Sequence, residues 1–341
     1  MEYDVTIGVP VYKSVDYIHR ALESALAQTY SSIEFLIVDD AGCDGSLEII
    51  KSIKESHPRG HDIHIVEHKE NYGVSASRNQ IIDKAQGDYL YFMDSDDVIA
   101  ENTIELMMRN IRQYDAEIVF GSYEKIELSG SKTVYKYPSI QFLKEDELAS
   151  FAYRKYAGIQ ASACNYLVKL SVLRANNHCF VDANYWEDLV FTFDLVTIVS
   201  RAVLLPDITY FYICRKNSLS HYQQRNIIPK EEIMQNVKAI HHLKQTSSRL
   251  VGKIFFPKRC VMIVITDFYI ACNIIKRRRD IMPFVTDGEI KNFMIHPASL
   301  RQICRFRNNL ILNLCIYLLS KLPAFLCVAL ITFIGKLKKL I

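Results

Sequence analysis

The sequence predicts an α/β fold: a mainly parallel sheet with helices on both faces, followed by a helical C-terminal extension. Three observations carry this. Short β-branched apolar runs alternate with amphipathic helical stretches through the first 120 residues. Several of those runs are continuously apolar, the pattern of strands buried on both faces. From about residue 231 only helical periodicity remains. Half of the 341 residues are hydrophobic, with 17 Phe and 20 Tyr, so the chain can bury a large core.

In order, residues 5–11 read as a buried strand, and residues 17–27 as a helix with Ile18, Ala21, Leu22, Ala25 and Leu26 on one face. Residues 33–38 form the next apolar run, closed by Asp39-Asp40-Ala41-Gly42. Ser46 is the expected N-cap of a helix over 47–56. A strand over 63–66 precedes a helix over 75–85, capped by Ser75 and ended by Gly87. A strand over 89–93, a helix over 102–114 and a strand over 117–120 complete this half. Residues 121–230 are less regular, with strand patterns at 123–127, 165–169, 202–205 and 210–214 and a helix over 187–199. The expected division is 1–120, 121–230 as the second half of the same domain, and 231–341 as a basic, apolar helical extension.

The net charge of +3 hides an asymmetry. Residues 1–248 carry 25 Lys+Arg against 34 Asp+Glu, and residues 249–341 carry 16 against 4. A basic tail of this kind suits an anionic partner. The nine cysteines are odd in number and scattered, with no C-x-x-C pair, so neither a disulfide framework nor a zinc cluster is expected. Reduced thiols and a start without a basic leader segment point to the cytoplasm.

In a parallel sheet, ligands bind beyond the carboxyl ends of the strands. Asp39-Asp40 and Asp94-Ser95-Asp96-Asp97 occupy two such ends. Three carboxylates in four residues repel one another, and a hard divalent cation bridging phosphates would offset that cost. A solvated turn with Asp97 capping the next helix is the plain alternative. Asp39 suits recognition of a base or ribose, or an Asx turn before Gly42 and Gly45. In Asn71-Tyr72-Gly73-Val74-Ser75-Ala76-Ser77-Arg78-Asn79, Gly73 permits a turn, and Arg78 is placed to reach a phosphate or brace Asp94 to Asp97.

Together these segments resemble family 2 glycosyltransferases of the Rossmann-like GT-A fold. Thr6-Ile7-Gly8-Val9-Pro10-Val11-Tyr12 resembles the opening strand, and Ile37-Val38-Asp39-Asp40-Ala41-Gly42-Cys43-Asp44-Gly45-Ser46 the nucleotide loop. Asn71 to Asn79 is similar to the N-x-G-x-x-x-x-R-N segment, and Gly87 to Asp97 to the metal segment. The resemblance implies that Pro10 and Tyr12 lie against the nucleotide and that Asp39 accepts from uracil or ribose. It places Asp94, with Ser95 and Arg78, at the nucleotide, and Asp96 on Mn²⁺ or Mg²⁺. Ala41-Gly42-Cys43 replaces the more usual Gly-Ser-Thr and removes its hydroxyls. Trp186-Glu187-Asp188 resembles the Glu-Asp pair whose aspartate, here Asp188, deprotonates the acceptor hydroxyl; stabilising the helix N-terminus is the alternative role. The segment 212–221 resembles a lid, with Arg215 or Lys216 over the diphosphate; for His221 a metal-ligand role stands against the default of a lone histidine with no such role.

The resemblance implies inverting transfer of a hexose from a UDP-sugar to a glycan acceptor, of the lipid-linked kind used in bacterial cell-surface polysaccharide synthesis. Residues 260–275 and 310–334 are apolar and flanked by Lys and Arg. Lys321-Leu322-Pro323 interrupts the second run, so two interfacial helices fit better than one span. Peripheral contact with the anionic inner face of the cell membrane is therefore expected, with packing on the catalytic domain or a homodimer as the other uses of these helices, and no nucleic-acid partner. A nucleotidyltransferase would need a Gly-rich phosphate loop, which Pro10-Val11-Tyr12-Lys13-Ser14 does not supply. A non-catalytic nucleotide-sugar-binding or membrane scaffold is the competing class.

Overall fold

The computed structural model describes residues 3–154, 158–183, 185–215 and 227–341. Its strands are β1 (Tyr3–Val11), β2 (Ile33–Asp39), β3 (Ile63–Glu67), β4 (Gly87–Phe92), β5 (Val98–Ile99), β6 (Ile118–Ile126), β7 (Lys132–Tyr135), β8 (Ile140–Phe142), β9 (Tyr166–Lys169), β10 (Ala202–Ile213), β11 (Ile228–Pro229) and β12 (Ile281–Met282). The helices through the sheet region are α1 (Ile18–Leu26), α2 (Ser46–Ser56), α3 (Val74–Lys84), α4 (Thr103–Tyr114), α5 (Glu147–Ala152), α6 (Leu170–Ala175) and α7 (Glu187–Leu195). Then follow α8 (Lys230–Thr246), α9 (Phe256–Lys276), α10 (Asp287–Phe293), α11 (Leu300–Ile303), α12 (Leu310–Lys321) and α13 (Ala324–Leu337).

The chain forms two compact units. The first holds residues 1–148, 161–184 and 191–218. Its sheet runs β3-β2-β1-β4-β9-β6-β10-β5, with β7 beside β6 and β8 beside β10. β3, β2, β1 and β4 are mutually parallel. β9 enters antiparallel between β4 and β6, and β6 and β10 are again parallel. Every residue of β2 is buried, which explains its unbroken apolar pattern. The strands expected at 202–205 and 210–214 are one strand, β10, whose register against β6 shifts between Leu204 and Ile208. Pro206-Asp207 lies at that shift and gives the sequence its false break.

Two expected caps are corrected. Gly45, at φ 97°, occupies the N-cap of α2, while the Ser46 hydroxyl donates to Asp44 and accepts from the Ser14 amide. Gly73, at φ 90°, begins α3, and the Ser75 hydroxyl donates to the Ala183 carbonyl. In both cases a tertiary partner outcompetes the local cap. Gly8 in β1 sets how closely α3 approaches: a Cβ there would lie 2.3 Å from the Ile81 Cγ2. Ile81 is one turn beyond Arg78, so this contact also fixes the depth of the arginine.

The second unit holds residues 149–160, 185–190 and 219–341. Its centre is Arg259 on α9, fully buried and donating to the Tyr153 and Ser247 hydroxyls, the Leu243 carbonyl and the Thr246 hydroxyl. A buried guanidinium is tolerable only when its donors are matched in this way. Nearby, Lys244 pairs with the fully buried Asp267 at 2.5 Å.

Candidate nucleotide-sugar site

β2 and β4 flank β1, so their carboxyl ends stand two strand spacings apart, about 10 Å. Asp39 ends β2 in register with Val11, and Asp94 follows β4 just beyond Phe92. Pro10 lies past the last β1–β4 pair, Gly8 with Phe92, so its missing N–H costs no bond on that side. Tyr12 follows with its ring 41% exposed at the strand end, and Ser14 joins Ser95 hydroxyl to hydroxyl at 2.6 Å. The loops after β1 and β4 are thereby tied together.

The two aspartates after β2 have different surroundings. Asp40 accepts from the Tyr72 and Gly73 amides at 2.8 Å each and from His68 at 2.6 Å. It holds the Asn71-Tyr72-Gly73 turn in place. Asp39 is buried, and its Oδ1 has no hydrogen-bond partner. Burial and then Glu67 raise its pKa, while the Ala41 and Gly42 amides pull it down. The loop itself crosses close to Lys13: a Cβ on Gly42 would meet the Lys13 amide nitrogen at 2.7 Å. Ala41 and Cys43 adopt φ of 54° and 50°, the left-handed region. Asp44 supplies the anchoring instead of the missing hydroxyls: burial raises its pKa, but the Ser46 hydroxyl and the Val15 and Ser46 amides outweigh this and hold it low.

α3 presents Arg78 beneath the second corner. Its Nη2 donates to Asp94 at 2.9 Å, and its guanidinium lies over the Phe180 ring. The expected brace is present. Asn79 clamps the Phe180 backbone, donating to its carbonyl at 2.9 Å and accepting from its amide at 2.7 Å. Phe180 thus keeps the arginine in place. Asp97 does not cap a helix; it accepts from the Tyr210 hydroxyl and the Ile213 amide at 2.7 Å each. These partners on β10 are more than a hundred residues away, and no local signal in the sequence indicated them. Arg20, also unanticipated, donates to the Asp96 carbonyl at 3.0 Å.

Asp96 pairs with Arg215, whose guanidinium lies over the Tyr17 ring. Burial and then Asp94 raise the Asp96 pKa, and Arg215 opposes them. A largely buried carboxylate beside a second carboxylate favours a cation, and Arg215 is one. Among the described residues, no group of three His, Cys, Asp or Glu side chains could hold a metal. A single Asp96 carboxylate would hold only a hard ion that takes its remaining ligands from phosphate and water, the habit of Mg²⁺ and Mn²⁺. Lys216 and His221 lie outside the described residues.

Asp188 belongs to the second unit, in the first turn of α7. Its Oδ1 accepts from the Leu189 amide at 2.6 Å, and Glu187 beside it is buried. Trp186, just before them, is held at φ 66°, strained for a bulky residue. Its ring lines a cavity of about 150 Å³ with Asn236, Tyr269, Ile270 and Asn273.

Residues 6–167 match the family model described as Glycosyl transferase family 2. The matched segment is of the family 2 glycosyltransferase type. The chain is 39% identical over 119 residues to glycosyltransferase GlyA of Streptococcus pneumoniae, 35% of this chain and 16% of that protein. It is 31% identical over 127 residues to the putative teichuronic acid biosynthesis glycosyltransferase TuaG of Bacillus subtilis, 37% of this chain and 49% of that one. The chain thus spans a sixth to a half of these two relatives. Residues 1–349 of Staphylococcus aureus TarS, solved with UDP-GlcNAc, superpose with a TM-score of 0.64 at 16% identity, over 93% of this chain and 89% of that one. That likeness shows the GT-A-type fold.

Proposed function

We propose that this chain moves a hexose from a UDP-sugar to a hydroxyl of a glycan acceptor, with inversion, in bacterial cell-surface polysaccharide synthesis. The observation that carries the reading is the pair of strand-end corners. One leaves a buried carboxylate oxygen unmatched, and the other holds a carboxylate whose charge needs a cation. The UDP-GlcNAc bound to TarS and the teichuronic acid role in the name of TuaG support the donor and the pathway class.

In this reading the exposed Tyr12 ring and Pro10 face the base, and Asp39 Oδ1 accepts from uracil or ribose. Arg78 holds Asp94, and Ser14 holds Ser95, so that both present fixed oxygens to the nucleotide. Asp96 would hold Mn²⁺ or Mg²⁺, which when bound neutralises charge developing on the diphosphate. Asp188 takes the acceptor proton as the acceptor oxygen bonds to the anomeric carbon. The bond from that carbon to the diphosphate oxygen breaks, and its electron pair leaves with UDP. Attack opposite the leaving group inverts the centre. The cavity beside Trp186 suits one sugar ring, with aromatic faces for its C–H surface and asparagine amides for its hydroxyls. A lipid-linked glycan is the proposed acceptor.

Asp188→Asn tests the reading. Transfer across a UDP-sugar panel should fall by about 10²- to 10⁴-fold, with UDP affinity unchanged. Retained transfer would remove Asp188 as the base, whereas UDP binding with no turnover by the unmodified chain on any donor would favour the scaffold reading.

A further inference from the structure

Helix α12 is turned inside out for a helix facing water. Asn313, 0% exposed, and Ser320 point inward, while Leu310, Ile311, Leu312 and Leu318 point outward, Ile311 at 77% exposure. The inward placement is specific. Asn313 Oδ1 accepts from His296 Nε2 at 2.9 Å, and its amide nitrogen donates to the Pro257 and Asn309 carbonyls. A helix at a water boundary shows the reverse pattern.

Helix α13 follows α12 after Leu322-Pro323 and, like it, packs on α9. Cys327, Val328, Ile331 and Gly335 form its buried face, and a Cβ on Gly335 would lie 3.0 Å from the Cys272 Sγ of α9. That close contact commits the opposite face to the outside, where Phe325 is 64% and Phe333 61% exposed, beside Leu330, Ile334 and Leu337. So many exposed large apolar side chains on two successive helices mark an interaction site.

Charge names the partner. From residue 290 to the end there is no Asp or Glu and there are eight Lys and Arg. Lys321 lies at the turn between the helices, and Lys336, Lys338 and Lys339 lie at the far end of α13. A second copy docking through this face would set these cations against one another. An anionic lipid surface would accept them. At 12 and 14 residues the helices are about 18 and 21 Å long, short of the ~30 Å hydrocarbon core. Among the described residues no helix is long and apolar enough to cross a membrane.

We infer that the outer face of α12 and α13 docks on an anionic bilayer, lying in the headgroup plane with its lysines at the rim. The inference does not depend on the catalytic reading. The test is flotation of the full chain with phosphatidylcholine vesicles, with and without phosphatidylglycerol. The chain should float with the anionic vesicles, bind neutral ones at least about tenfold more weakly, and be released by salt. Phe325→Glu/Phe333→Glu should abolish flotation with both, while Lys336→Glu/Lys338→Glu/Lys339→Glu should remove only the preference for anionic lipid. All five side chains are exposed, so melting temperature and donor hydrolysis should stay as in the parent chain. Failure of the parent chain to float with anionic vesicles would overturn the inference. So would a dimer that the Phe325→Glu/Phe333→Glu change splits into monomers without altering flotation.

Discussion

At the end of β2, Asp40 is bound by two backbone amides and a histidine while its neighbour Asp39 keeps an unmatched oxygen. At the end of β4 the same division recurs: Asp97 is bound by Tyr210 and Ile213, and Asp96 faces a cation, here Arg215. In both corners the second aspartate of the pair braces the loop, and the first is the one proposed to meet a ligand. The corners differ in what surrounds that first carboxylate. Asp39 lacks a donor, which suits a neutral base or ribose. Asp96 is met by the Arg215 guanidinium, a position of positive charge that suits a metal on a diphosphate in the proposed reading.

The largest expected effect tests the β4 corner. Asp96→Asn should lower transfer by about 10³-fold, as loss of a centre for developing charge does, with the melting temperature held or raised. Asp97→Ala should chiefly cost stability, about 1–3 kcal/mol by denaturant melting, because it strands the Tyr210 hydroxyl and the Ile213 amide. If Asp97→Ala spared stability and Asp96→Asn spared transfer, the division would be reversed. The β2 corner repeats the contrast more weakly. Asp40→Ala should destabilise by about 2 kcal/mol, whereas Asp39→Asn should weaken UDP binding by about tenfold and leave the melt unchanged.

The smallest effect is a pH shift. Burial and Asp94 already raise Asp96, and Arg215 opposes them. Metal binding at Asp96, as proposed, needs the ionised carboxylate, so activity should fall as pH drops through the Asp96 pKa. Arg215→Ala removes the opposing charge and should move the acid limb of the rate profile to higher pH, whereas Arg215→Lys should leave it nearly in place. An unmoved limb in the alanine variant would show that Arg215 does not face Asp96 in solution.

The parallel half of the sheet was legible because each strand is a continuous apolar run and each acidic cluster falls where such a run stops. The identity of the bracing aspartate was not legible. Asp96 and Asp97 are adjacent and chemically alike, and only β10, folded alongside, distinguishes them. The caps at Ser46 and Ser75 failed for the same reason, since their hydroxyls serve partners outside their own helices. In the C-terminal region the sequence showed apolar helices with basic flanks. It did not show which way they face, because α12 and α13 are apolar around most of their circumference and the buried Asn313 reads as an interruption.

The central claim is that the first unit holds UDP through a cation on Asp96. Calorimetric titration of UDP into the full chain, with Mn²⁺ and again with EDTA, tests it most directly. The account predicts binding at least about tenfold tighter with Mn²⁺, a difference that Asp96→Asn erases and Asp40→Ala keeps in the protein that remains folded. Equal affinity with Mn²⁺ and with EDTA would contradict it.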